Sequence, residues 1–306
     1  MDQGLDRDQG LARVSASGGV LRPASRVLWR TPRLKLALLL SGPVGWLVVA
    51  YLGSLFVLLA SAFWSTDSFT GNIVRRPTAD NFRALLSGEV YRAITLRTLL
   101  LAVGVTVIDV LLGFPIAFYM AKVAGRRFRP LLLAALLTPL WASYLVKAYA
   151  WRVMVGAGGV LEWAFQPVGL RAPGFGLTAL WIVLAYLWLP YMILPIFAGL
   201  DRLPDSLLEA SADLGAGAWR TFRAVILPLA LPAVVAGSIF TFSLTLGDYV
   251  AVNIVGGKTQ MLGNVIYANV GAANNLPFAA ALATVPVAIM LVYLLAARRA
   301  GALESL

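Results

Sequence analysis

Residues 201–228 read DRLPDSLLEASADLGAGAWRTFRAVILP. Ser206 is followed three positions later by Glu209, the spacing of a capping box, which predicts a helix starting near Leu207. Leu207, Ala210 and Leu214 then share one face, and Asp205, Glu209 and Asp213 form a neighbouring acidic strip. Gly215 and Gly217 end that helix and permit a tight turn. A second short helix over about 218–224 presents Trp219 and Phe222 together, and Pro228 marks entry into an apolar run. The stretch therefore predicts a short helix-turn-helix, of a shape that suits insertion into a groove on a partner. On physical grounds alone, an ordinary connecting loop accounts for the same residues.

What flanks this loop on both sides is apolar. The 306 residues are 60% hydrophobic and only 13% charged, with a mean hydropathy of +0.81. About a quarter of a soluble globular chain is charged, so this composition predicts an integral membrane protein. There is no cysteine and no histidine. Disulfide frameworks, thiolate nucleophiles, Cys/His metal sites and histidine-based acid–base chemistry are thereby excluded. The net charge of +11, from 25 Lys and Arg against 14 Asp and Glu, is read first as membrane topology rather than as a nucleic-acid footprint.

A helix crossing the hydrocarbon core needs about 20 apolar residues. Six uncharged or nearly uncharged stretches qualify: 36–64, 98–121 (broken only by Asp109), 130–146, a run within 172–200, 224–247 and about 278–297. The third is followed by Lys147, Tyr149 and Trp151, and the fifth ends at Asp248. The stretch 259–277 carries three Gly or Pro and four Asn, and reads as a loop or re-entrant segment rather than a seventh span. Six spans put both termini on one side. That side, with the loops at 122–129 and 202–223, holds sixteen Lys and Arg against nine on the other, which places the termini in the cytoplasm. Residues 1–33 are expected to be a disordered cytoplasmic arm rather than a cleaved signal peptide. Its basic residues fix orientation, with contact to anionic membrane lipid as the sharper reading. Residues 34–300 form the transmembrane domain, and 301–306 a cytoplasmic tail.

The loop residues also carry a resemblance. Glu209-Ala210-Ser211, three residues, Gly215, nine residues and then Val225-Ile226-Leu227-Pro228 resemble the EAA signature of ABC importer permeases, with Ser211 in place of the usual third Ala and Val225 in place of Ile. Residues 145–151 (LVKAYAW), 246–250 (LGDYV) with Gly256 and Gly257, 261–266 (MLGNVI) and 277–282 (PFAAAL) are similar to the polyamine-type (spermidine/putrescine), PotB-like permeases. Lys147 replaces the usual Arg there and Ala148 the usual Thr. The resemblance implies an all-α, six-helix type I importer (MetI-like) permease fold in a bacterial inner membrane. It implies a second homologous permease or a second copy, two ATPase subunits and an extracytoplasmic solute-binding protein as partners. It also implies that residues 201–228 form the loop that couples to the ATPase, with Glu209, Ala210, Ser211, Asp213, Leu214, Gly215, Gly217, Trp219, Phe222 and Pro228 as its working residues. The chain has no Walker-type loop, so ATP and magnesium would sit on the partner ATPase, and no catalysis, cofactor, metal or nucleic acid is expected of this chain.

Carboxylates inside a span are functional candidates by default. Asp248, beside Tyr249 at the end of the fifth span, would suit a cationic polyamine through ion pairing and cation–π contact. It would equally serve as a helix cap, or pair with Lys147 or Lys258. Asp109 lies deeper, where an internal hydrogen bond explains it more simply than cargo. Lys147, Tyr149 and Trp151 read as an aromatic belt or as a gate. An ion-coupled secondary transporter using Asp109 and Asp248 is the alternative, but it gives the 209–228 signature no purpose. A membrane-embedded enzyme lacks obvious catalytic machinery.

Overall fold

The computed structural model describes residues 32–67, 70–169 and 172–299. The expected arm at 1–33, apart from its last two residues, and the tail at 301–306 lie outside the described residues. The chain divides into two units, 1–58 and 59–306. The described part of the first is helical: α1 (Pro32–Leu47) runs through a π-helical turn (Val48–Gly53) into α2 (Ser54–Ser61). Trp46, Tyr51 and Phe56 are all more than 70% exposed, as expected of a lipid-facing span.

The second unit is built on three long helices. After a small hairpin (β1, Ser65–Thr66; β2, Ile73–Val74) and the amphipathic α3 (Asp80–Ser87) comes α4 (Glu89–Phe118), extended by a second π-helical turn (Tyr119–Val123). It packs against α8 (Leu177–Asp201) and α11 (Leu227–Leu246), and these three form the core. Small residues let them approach, as is general where lipid supplies no hydrophobic drive. A Cβ at Gly104 would lie 1.8 Å from the Trp181 ring, and one at Gly199 2.5 Å from the Ala233 side chain. Toward one end the core is Leu101, Val105, Leu180, Leu184, Val252 and Val255. Toward the other it is Phe114, Met120, Ile196, Leu200 and Ile226.

Five described helices are long and apolar enough to cross a membrane, and a bent pair brings the number to six. That pair corrects the third stretch. It is not one helix over 130–146: α5 (Arg129–Trp141) stops and α6 (Tyr144–Val155) leaves at 89°. Ala142 and Ser143 are both extended (ψ 137°), and Pro139 has already withdrawn one donor from the last turn of α5. The bend buries Ala148 and Val155 with Ala251, Val252 and Val255 of α12 (Val250–Val255). Between α6 and α8 lies a short helix, α7 (Val160–Phe165).

The loop side of the fifth stretch is also longer than the uncharged run. α10 (Ala218–Thr221) passes through a third π-helical turn (Phe222–Ile226) directly into α11, so the second helix of the expected pair is the first part of the span. Residues 259–277 contain α13 (Leu262–Val270), which with α12 makes a pair of short helices rather than a loop. The last span is α14 (Leu276–Arg299).

Candidate functional site

Two clusters of the singled-out residues lie at opposite ends of the three-helix core. At the end carrying residues 201–228, α9 (Ser206–Asp213) starts without the expected capping box. No side chain caps it: Asp205 stands at the N-cap, one residue ahead of the expected Ser206, and its carboxylate is taken by Lys122, whose Nζ lies 2.7 Å from Asp205 Oδ1. That contact holds the Asp205 carboxyl below the usual carboxylate range. The buried face is also one residue off the expectation: Ser211 is buried and Leu208 packs on the Phe114–Ile226 core, while Leu207 and Ala210 are exposed.

The C-terminus of α9 follows the reading more closely. Gly215 has φ +75°, the left-handed conformation that lacks a steric penalty only in glycine. Gly215 N–H donates to Ala212 O at 2.8 Å and Ala216 N–H to Ser211 O at 3.0 Å, closing a Schellman turn. Ser211, the position that departs from the usual Ala, shares a 2.8 Å hydrogen bond with Thr221 Oγ1 and so ties the two short helices together. Trp219 stacks on Phe222 at 5.5 Å, and Phe222 meets Phe114 of α4 edge-on at 5.6 Å. The result is a hydrogen-bonded turn whose outer surface is exposed among the described residues: Leu214 is 88% and Trp219 71% exposed, and Glu209 and Asp213 stand beside them. Gly217 and Pro228 are exposed, at the start of α10 and in the first turn of α11.

At the other end, Asp248 does not pair with Lys147 or Lys258. Tyr144 Oη donates to Asp248 Oδ2, and Ala251 N–H donates to Oδ1 at 2.9 Å, so the carboxylate caps the first turn of α12 and fastens α6 to it. The Tyr144 ring stacks on Trp188 at 5.7 Å, and Trp188 meets Tyr191 at 5.9 Å. Arg152 donates to Ile254 O at 2.8 Å and lies over the Phe175 ring. The approach of α13 is so close that a Cβ on Gly263 would sit 2.5 Å from Asp248 O. Thr98 Oγ1 accepts the Leu262 N–H at 3.0 Å. Tyr249 stacks on Tyr267 at 4.7 Å with both rings partly open to the surface. Trp151 packs on Tyr186, Tyr149 is exposed, and Lys147 makes no ion pair among the described residues.

Asp109 belongs to neither cluster. It is fully buried in the three-helix core, and neither oxygen has a hydrogen-bond partner among the described residues, so the expected internal bond is not made. Tyr144, Thr221 and Lys122 are the residues that sequence reading missed. Each is read as functional only through a partner, and those of Tyr144 and Lys122 stand 104 and 83 positions away in sequence. No His/Cys/Asp/Glu group able to hold a metal occurs among the described residues.

Residues 90–300 match the model of a family described as binding-protein-dependent transport system inner membrane component. The inner membrane ABC transporter permease protein YdcU of Escherichia coli (strain K12) is 44% identical over 301 residues, covering 94% of this chain and 96% of that protein. The spermidine/putrescine transport system permease protein PotB of Haemophilus influenzae is 32% identical, covering 77% of this chain and 83% of its own length. Among solved structures, a bacterial ABC transporter that imports the acidic polysaccharide alginate superposes with a TM-score of 0.65 at 18% identity, covering 91% of this chain and 98% of that one.

Proposed function

The chain belongs to the family of binding-protein-dependent transport system inner membrane components, and from that premise we propose that it is the permease half of an importer for a cationic polyamine such as spermidine or putrescine. The coarser statement, a multi-pass inner-membrane permease subunit of an ABC importer, does not depend on the cargo. The observation that carries the coupling role is the exposed Leu214–Trp219 turn, rigidly closed by its Schellman bonds and by Ser211–Thr221. It offers a small apolar knob flanked by Glu209 and Asp213, and in this reading it seats in a cleft on a cytoplasmic ATPase. Two such ATPases bind ATP and magnesium. Their ATP-driven closure moves the turns of this permease and of a second, homologous permease, and differential ATP affinity for the closed state shifts the pair outward. A solute-binding protein delivers cargo on the other side of the membrane. The termini are then cytoplasmic.

The polyamine assignment draws on the spermidine/putrescine relative and on aromatic surfaces suited to ammonium groups, the Tyr249–Tyr267 pair among them. Asp248 contributes by holding α6 against α12, which supports the shape of that surface. An ion-coupled transporter has little to work with: Asp109 is sealed inside the core of a single chain and Asp248 is engaged. Proteoliposomes holding this chain with its ATPase, companion permease and binding protein should accumulate labelled spermidine or putrescine only when ATP and the binding protein are both supplied. Uptake driven by a proton gradient with no ATPase would overturn the reading.

A further inference from the structure

Lys122 makes a contact that the proposed coupling role does not by itself require. It sits in the π-helical extension of α4, among the basic residues that topology counting treats as solvated. Its side chain is only 9% exposed. Nζ donates to Leu203 O at 2.5 Å and to Asp205 Oδ1 at 2.7 Å, so one cation grips two points of the four-residue connection between α8 and α9. A second cation from the same stretch repeats the pattern: Arg129 Nη1 donates to Asp201 Oδ1 at 3.0 Å, while its Nε donates to Ala124 O at 3.2 Å. The two carboxylates bracket the same short linker, Asp201 at the end of α8 and Asp205 just before α9, and the two donors come from the π-helical extension of α4 and from Arg129, the first residue of α5.

The linker needs such a hold. It reads Arg202-Leu203-Pro204-Asp205, and Pro204 can donate no backbone hydrogen bond, so helix continuity does not transmit a push from α9 to α8. Charge-assisted hydrogen bonds are about twice as strong as neutral ones, and a lysine held away from water is costly to leave unpaired. We propose that Lys122, with Arg129 as a weaker second clasp, is a positioning residue that makes α9 move as one body with the ends of α4 and α8, so that displacement of the ATPase-facing turn reaches the spans. This rests on the coupling role of residues 206–219 proposed above.

The test uses the assembled transporter in proteoliposomes with wild type, Lys122→Met and Lys122→Arg. Methionine keeps the unbranched apolar stem and removes the donors; arginine restores a cation. The expected result is that Lys122→Met still recruits the ATPase and hydrolyses ATP, but transports about tenfold less cargo per ATP consumed, and that Lys122→Arg recovers most of the loss. Because the chain has no native cysteine, spin labels at Arg127→Cys and at Leu207→Cys, an exposed position in the first turn of α9 away from the Leu214–Trp219 knob, report the clasp directly. Their distance distribution should stay narrow with and without ATP in wild type and broaden in Lys122→Met. Equal transport per ATP and an equally narrow distribution in Lys122→Met, with ATPase bound, would overturn the clasp alone. A wild-type chain that recruits no ATPase at all would instead overturn the coupling reading beneath it.

Discussion

Ser211 and Thr221 show how a single substitution in a motif is absorbed. The buried Ser211 hydroxyl would be unsatisfied without a partner, and its 2.8 Å bond to Thr221 satisfies it. Ser211→Ala should cost about 1 kcal/mol by leaving Thr221 without that partner, read as faster hydrogen exchange over residues 206–221 without loss of membrane insertion. Gly263 is held by distance rather than conformation. A Cβ there meets backbone oxygens of Asp248 and Gly247 at 2.5 and 2.9 Å, so Gly263→Ala must push α13 away and should lower stability by about 2 kcal/mol in a thermal-denaturation assay. Gly215 differs again, with a positive φ but open space around its Cβ position. The sequence exposes Gly215 because a left-handed turn after an amphipathic run has a local signature. It hides Lys122 and Tyr144, whose partners come from distant segments that no periodicity links.

At the scale of elements, α9 depends on charge from outside itself. The Asp205 carboxyl is lowered chiefly by the hydrogen bond from Lys122, then by its charge, with Arg129 and Arg126 adding to the effect. A carboxylate lowered on folding stabilises at pH above its ordinary value and loses that contribution as pH falls through the lowered one. Protection of residues 201–215 from hydrogen exchange should therefore be unchanged between pH 7 and 5 and weaken below the ordinary value of 3.8, with no such step in Asp205→Asn. The capping box at Ser206 was legible and wrong because the helix starts one residue earlier: Asp205 takes the N-cap position and Ser206 is the first helical residue. The long spans were legible because apolar length is all that a crossing demands. The third was misread because hydropathy counts residues and is blind to direction, so α5 and the first turn of α6 merge into one run across an 89° bend. Ser143 and Lys147, just past Pro139, were the signals of the break.

For the whole molecule, an absence of chemistry and a surplus of surface point the same way. The sequence has no histidine, cysteine or Walker-type loop, and the turn at 214–219 is exposed, which in the proposed reading is where an ATPase takes hold. Membership of the permease family accounts for the helical frame, while the role of the turn needs its own test. Gly215→Arg separates the two. Nothing lies within 4 Å of the Cβ position, so the variant carries only the left-handed strain of about 1–2 kcal/mol and should remain inserted, while its long cationic side chain occupies the docking surface. The decisive measurement is affinity purification of wild type and Gly215→Arg from native membranes in mild detergent, with the bound proteins identified by mass spectrometry. Recovery of a Walker-containing ATPase and a second permease with wild type, and loss of the ATPase alone with Gly215→Arg, is the predicted result. An ATPase held equally by both, or by neither, would contradict the assignment of residues 206–219 as the coupling surface.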